Sequence, residues 1–148
     1  MTTSNPPVGR KFPTAVWTGS KAVIYGGQNL TTDALDNGSI YDPTANTWTS
    51  IPTVGAPSAR TAALGVWVPA VGSRPGYVFI HGGRNPASVY LADAYGFNPE
   101  TGIWTTLSSY NGPSARAWHF GAWTGNRVAV WGGMGSANAF IGGLFNPD

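Results

Sequence analysis

The stretch PSARAWHFGAWTGNRVAVWGG, residues 113–133, decides how this chain is read. After Arg116 comes an apolar segment broken by small residues, 118–124. Gly125-Asn126 then marks a two-residue hairpin, because both residues accept positive φ. A second apolar segment, 127–131, leads into the pair Gly132-Gly133. The pattern is strand, tight turn, strand, glycine pair.

Versions of this unit occur at 9–27 and 57–83. The glycine pairs Gly26-Gly27, Gly82-Gly83 and Gly132-Gly133 are offset by 56 and 50 residues. Arg10, Arg60 and Arg116 precede the three first strands, offset by 50 and 56. Aromatic-x-Pro turns follow at Tyr41-Asp42-Pro43, Phe97-Asn98-Pro99 and Phe145-Asn146-Pro147. Trp48 and Trp104 each stand six residues after Asp42 and Asn98. Four landmarks in one fixed order define an internal repeat with a period near 50 residues.

The composition agrees with short strands and tight turns. Apolar residues make up 42% of the 148, ample for a core. Charged residues are only 9%, against about 25% in an average soluble protein. Gly, Ser, Thr, Asn and Pro fill the polar role, and Gly or Pro interrupts nearly every window where a helical period would show. The net charge of +2 comes from scattered Lys and Arg, which speaks against a nucleic-acid partner. The absence of cysteine excludes disulfides and thiolate metal sites. No apolar run approaches the ~18 residues of a membrane span, so no membrane partner is expected. The N-terminal MTTSNPPVGR has no hydrophobic signal region, and the compartment stays unassigned.

Each unit resembles a kelch repeat, the four-stranded blade of a β-propeller. The resemblance rests on the glycine pair closing the second strand, the Tyr or Phe about 14 residues later, and the Trp beyond it. It implies an all-β, kelch-type propeller with three four-stranded blades per chain, over residues 10–56, 57–111 and 112–148. Strand a is expected at 13–17, 62–68 and 118–124, and strand b at 22–25, 77–81 and 127–131. Strand b is near-continuously apolar, which predicts burial on both faces. Strand c is expected at 39–41, 95–97 and 143–145, and strand d at 47–51 and 103–107. Trp48 and Trp104 are read as packing between adjacent blades, with Tyr41, Phe97 and Phe145 as further blade landmarks. The third unit carries no strand d, and residues 1–6 are expected to supply it.

Propellers typically have 4–8 blades. Three blades leave two apolar flanks, and two copies related by closed two-fold symmetry make a six-bladed ring. The expected partner is therefore the chain itself, as a homodimer.

Strand direction gathers the d–a and b–c connections at one end of the blades. That face brings Arg10, Arg60 and Arg116 to loops 28–38, 84–94 and 134–142. Such loops carry Gln28, Asp33, Asp36, Arg84, Tyr90, Asp93, Asn138 and Phe140. Candidate ligand-binding residues are Arg10, Arg60, Arg116, Arg84, Tyr90 and Gln28, with Trp118 and His119 beside them. The arginines have two readings. One is a tie between neighbouring blades through backbone carbonyls; the other is an anion site, since a guanidinium fork matches carboxylate and phosphate. His81 and His119 have no metal-spaced partner, so no metal or other cofactor is expected. No catalytic residue is assigned, and no nucleophile elbow is visible.

Three function classes remain. The first is a non-enzymatic, self-assembling scaffold or interaction module. The repeated PSAR at 57–60 and 113–116 fits recent duplication, or an engineered or excised half-propeller. The second is a binder of a glycan or small anion at the channel mouth. The third resembles kelch-type sugar-acid epimerases, with arginines gripping a carboxylate.

Overall fold

The computed structural model describes residues 4–109, 112–135 and 142–146. Regular structure among them is entirely β. The first sheet is β1 (Thr14–Trp17), β2 (Ala22–Tyr25), β3 (Gly38–Asp42) and β4 (Thr47–Ser50), paired antiparallel in that order. The second repeats it with β5 (Leu64–Val68), β6 (Tyr77–His81), β7 (Ala94–Asn98) and β8 (Ile103–Leu107). In the third repeat β9 (Arg116–Ala117) precedes β10 (Phe120–Trp123) and β11 (Val128–Trp131), followed by β12 (Met134–Gly135) and β13 (Gly143–Phe145). β10, β11 and β13 form a three-stranded sheet, and β12 pairs with β9.

Local chemistry sets the turns. At Gly19-Ser20 the Thr18 N–H donates to the Lys21 carbonyl at 2.9 Å, with Gly19 at φ 101°. Gly125-Asn126 repeats this with Thr124 and Arg127 at 2.9 Å and Gly125 at φ 105°. Both are Gly-X hairpins whose twist matches the strands. The Asp42 and Asn98 side chains accept from backbone N–H groups two and three residues on, fixing the c–d turns.

The sheets stack through two apolar cores. Val16, Val23, Tyr25 and Ile51 of the first repeat pack against Val78, Ile80, Phe97 and Trp104 of the second. Leu64, Val66, Phe79 and Ala94 pack onward against Val128, Val130 and Phe145. The innermost strand β5 touches both β1 and β10. Gly65 and Gly121 allow that crowding: a methyl on Gly65 would strike Thr14 and Val16, and one on Gly121 would strike Leu64.

The structure changes three details of the sequence reading. Strand a begins later than expected, because Phe12, Ala62 and Trp118 all take positive φ, between 51° and 55°. His119 therefore lies just before β10. Burial on both faces of strand b holds for β6, which is buried throughout. β2 and β11 bury alternate residues, since each has a described neighbouring sheet on one side. Trp104 packs between sheets as expected, at 7% exposure. Trp48 instead leans on Tyr41, with ring centroids 4.9 Å apart, on the face turned away from the second sheet. Residues 1–3, Asn138 and Phe140 lie outside the described residues.

Candidate functional site

The three repeat arginines are held by the fold. Arg60 is 1% exposed. Its Nε donates to the Ser58 carbonyl at 3.0 Å and its Nη1 to the Gly82 carbonyl at 2.9 Å. Nη1 and Nη2 also fork onto Asp93 at 2.7 and 2.9 Å. Burial alone would raise the Asp93 pKa, but the Arg60 guanidinium outweighs it and holds the carboxylate below its ordinary range. Arg116 is 2% exposed and donates to the Ser114 and Gly132 carbonyls, each at 3.0 Å. Arg10 donates to the Gly26 carbonyl at 2.9 Å and to Asn37. Each side chain thus ties its d–a connection to the first glycine of its own pair.

The arginine backbones make the tie between repeats. Gly27 N–H donates to the Arg60 carbonyl at 2.9 Å, and Gly83 N–H to that of Arg116 at 2.8 Å. A methyl on Gly26 or Gly82 would stand 2.6 or 2.5 Å from that same carbonyl, so glycine is required there. At Gly132 φ is +66°, yet no described atom lies within 4 Å of the equivalent point.

A second set of backbone hydrogen bonds links the three repeats. Ala62 N–H donates to the Phe12 carbonyl at 2.9 Å, and Trp118 N–H to that of Ala62 at 3.0 Å. These are the three positive-φ residues that stand two positions before strand a, so the strained conformation belongs to the architecture. Two of the three carry large aromatics there. Phe12 is 52% exposed, and the Arg84 guanidinium lies 5.4 Å over the Trp118 ring. Arg84 also bridges to Thr61 and Tyr90. Gln28 bridges to Lys11 on the first repeat and lines a separate groove with Arg10 and Leu30. Arg84, Tyr90 and Trp118 are therefore brought together, and Gln28 is not with them.

Beneath Trp118 lies a contact that the sequence spacing does not reveal. His81 Nδ1 and His119 Nε2 are 3.0 Å apart, with rings edge to face. The residues are 1% and 6% exposed. Burial lowers the His81 pKa to about 4, with the nearby Pro113 carbonyl pulling the other way. Burial, then repulsion from His81 and from Arg116, lowers that of His119 to about 3. The pair is neutral at pH 7, one ring donating to the other. Repeat alignment offers the missed signal. His81 stands where Tyr25 does, and the Tyr25 hydroxyl reaches across to the Pro57 carbonyl at 2.6 Å. No group of three or more His, Cys, Asp or Glu able to hold a metal ion occurs among the described residues.

The family model for the KLHDC2/KLHL20/DRC7 Kelch-repeats domain matches residues 1–133. The chain belongs to the kelch-repeat family. Its four-stranded sheets are kelch blades, and the fold is that of a β-propeller. Among curated proteins, an N-(sulfonatooxy)prop-2-enimidothioate sulfolyase from Thlaspi arvense is 31% identical over 127 residues. The match takes in 82% of this chain and 35% of that relative, so the chain spans about a third of the relative's length. Kelch domains typically mediate protein–protein interactions, and the arginine ties and glycine pairs described above are the framework of these blades.

Proposed function

We propose that this polypeptide is a non-enzymatic kelch interaction module that closes its propeller with a second copy of itself. Three blades per chain then give a six-bladed ring. The observation that carries this reading is the match between the two outer faces. On the first blade, Ala15, Trp17, Ile24, Tyr41 and Trp48 occupy the positions that Gly65, Trp67, Ile80, Phe97 and Trp104 use to pack against the blade before them. On the third, Phe120, Ala122, Ala129 and Trp131 occupy those that Leu64, Val66, Phe79 and His81 use toward the blade after them. Phe120 is 78% exposed and Trp131 66%, unlike their buried counterparts. The sizes also compensate. Where Gly65 meets Val16, the junction between copies would set Ala15 against the smaller Ala122. Gly133 N–H would find the Arg10 carbonyl of the partner, as Gly83 finds that of Arg116. Residues 1–6 would lead toward the partner's third blade.

Light scattering tests the reading, on the unaltered protein and on Trp131→Glu. A species of two chains that the substitution dissociates supports it. A folded single chain in both samples removes it.

A second reading is favoured by Arg84 over the Trp118 ring. A cation stacked on an indole suits a glycan ring or a small anion at the channel mouth. A glycan and carboxylate binding screen, with Trp118→Ala as control, tests it. A sugar-acid epimerase-like activity has less support, because Arg60 and Asp93 neutralise each other and Arg116 is buried.

A further inference from the structure

Arg84 differs from the arginines that hold the framework. Arg10, Arg60 and Arg116 each give guanidinium N–H groups to backbone carbonyls. The Arg84 Nε–H is buried and has no acceptor among the described residues. No described carboxylate pairs with it either: Glu100 is taken by Lys21 and Asp93 by Arg60. A second orphan stands beside it. Thr61 and Arg84 oppose each other on a short antiparallel ladder, each N–H donating to the other's carbonyl, at 3.0 and 2.9 Å. Opposed residues of a ladder send their side chains to the same face. Thr61 is 1% exposed, and its hydroxyl has no partner among the described residues. Tyr90 opposes Arg84 from the other side. Thr61, Arg84 and Tyr90 therefore form one row across three backbone segments, where the third blade brings the Trp118 ring to 5.4 Å from the guanidinium.

The internal repeat shows that the fold does not require this group. The same ladder is Lys11↔Gln28 in the first blade and Ala117↔Met134 in the third. Ala34 stands where Tyr90 does, since the Leu35 N–H reaches the Gly27 carbonyl as the Leu91 N–H reaches that of Gly83. Ala62 stands where Trp118 does. The backbone framework is thus kept from blade to blade while the four side chains are not. Two buried polar groups left without partners call for a cause, and the architecture does not supply one.

We propose that Thr61, Arg84, Tyr90 and Trp118 bind the carboxylate of a small molecule. The proposal rests on the second reading above and names its ligand class; it does not need the two-fold ring. The guanidinium fork matches two coplanar oxygens, and the Thr61 hydroxyl adds a further donor. Charge selects the class. Asp93 neutralises Arg60, Arg116 is buried among its own carbonyl partners, and Arg10 lies with Lys11 in the separate groove of the first blade. The single uncompensated cation of Arg84 balances a monoanion, which favours a carboxylate over a phosphate dianion. Tyr90 and Trp118 offer aromatic surface to the rest of the molecule.

Acetate and inorganic phosphate are the probes, titrated into isotope-labelled protein at fixed ionic strength with chloride as the balancing anion. Acetate should shift the NMR signals of the Arg84 Nε–H and the Thr61 amide saturably in the millimolar range, and leave the Arg60 Nε–H in place. Arg84→Gln and Thr61→Ala repeat what Gln28 and Ala117 already do on this ladder, so both variants should fold, which their thermal midpoints check. Arg84→Gln should weaken acetate about tenfold or more, and Thr61→Ala about threefold. Arg84→Lys keeps the charge without the fork and should also weaken it about tenfold. The inference is overturned by the absence of a saturable acetate shift, or by phosphate binding as tightly as acetate. It is equally overturned by an acetate affinity that Arg84→Gln leaves unchanged. A neutral glycan bound through Trp118 with no acetate response would keep the second reading and remove the carboxylate site.

Discussion

Arg60→Ala is the substitution that best separates a structural arginine from a ligand-gripping one. The guanidinium is almost fully buried and makes five hydrogen bonds, two of them to Asp93 and one to the Gly82 carbonyl. It also lies 5.4 Å over the Tyr95 ring. Removing it strips Asp93 of its counter-charge and leaves the Gly82 carbonyl without its buried donor. Breaking a buried pair by deleting one partner costs about 3–5 kcal/mol. The Asp93 side chain is 37% exposed, so water takes up part of its charge and the lower end, about 3 kcal/mol, applies. Arg10→Ala removes the same framework tie in a more open setting, and should cost about 1 kcal/mol. The assay is urea denaturation followed by tryptophan fluorescence, with Asp93→Ala and the double variant closing a cycle. The predicted coupling between Arg60 and Asp93 is above about 1 kcal/mol. If Arg60→Ala and Arg10→Ala cost the same, or if the two Arg60 and Asp93 losses simply add, the account of Arg60 is wrong.

Acid should weaken the junction between the second and third blades. His81 and His119 have folded pKa values of about 4 and about 3, below the ~6.5 of the unfolded chain. The unfolded state therefore binds more protons between those limits. Stability is full above pH ~6.5 and falls toward pH 4, by about 1.4 kcal/mol per pH unit for each histidine that titrates. Denaturation midpoints from pH 7 to 4.5 should show the slope, and His119→Ala should flatten it; a flat profile in the parent would refute the pairing. The glycines give a sharper contrast. Gly82→Ala sets a methyl 2.5 Å from the Arg116 carbonyl at φ +65° and should be severely destabilising. Gly132→Ala meets only the φ cost within one chain, about 1–2 kcal/mol. In a ring closed by a second copy it should also clash with the partner's Arg10 carbonyl, and so shift the protein from two chains to one.

Much of the fold was readable because the repeat states it three times. Gly26 and Gly82, and the Trp104 strand, mark positions where backbone crowding or inter-blade packing leaves little choice of residue. Strand b was placed well because β6 must be apolar on both faces. Its outer counterparts carry the same pattern without that burial, so the pattern alone misjudged β2 and β11. The site was less legible. Arg60 and Arg116 look alike in sequence, yet an aspartate 33 residues away pairs with Arg60. The His81–His119 contact joins residues that are 38 apart, through a blade junction no local spacing encodes. Trp118 reads as an ordinary strand residue until its positive φ turns it beneath Arg84.

The central claim is that the outer faces of the first and third blades meet each other in a second copy. Sedimentation or light scattering of the 148-residue polypeptide at micromolar concentration measures this directly. Closure by a twin predicts twice the 15.5 kDa of one chain, with Trp17 and Trp131 shielded from a fluorescence quencher. A stable, folded species of one chain with both tryptophans quenched would contradict it.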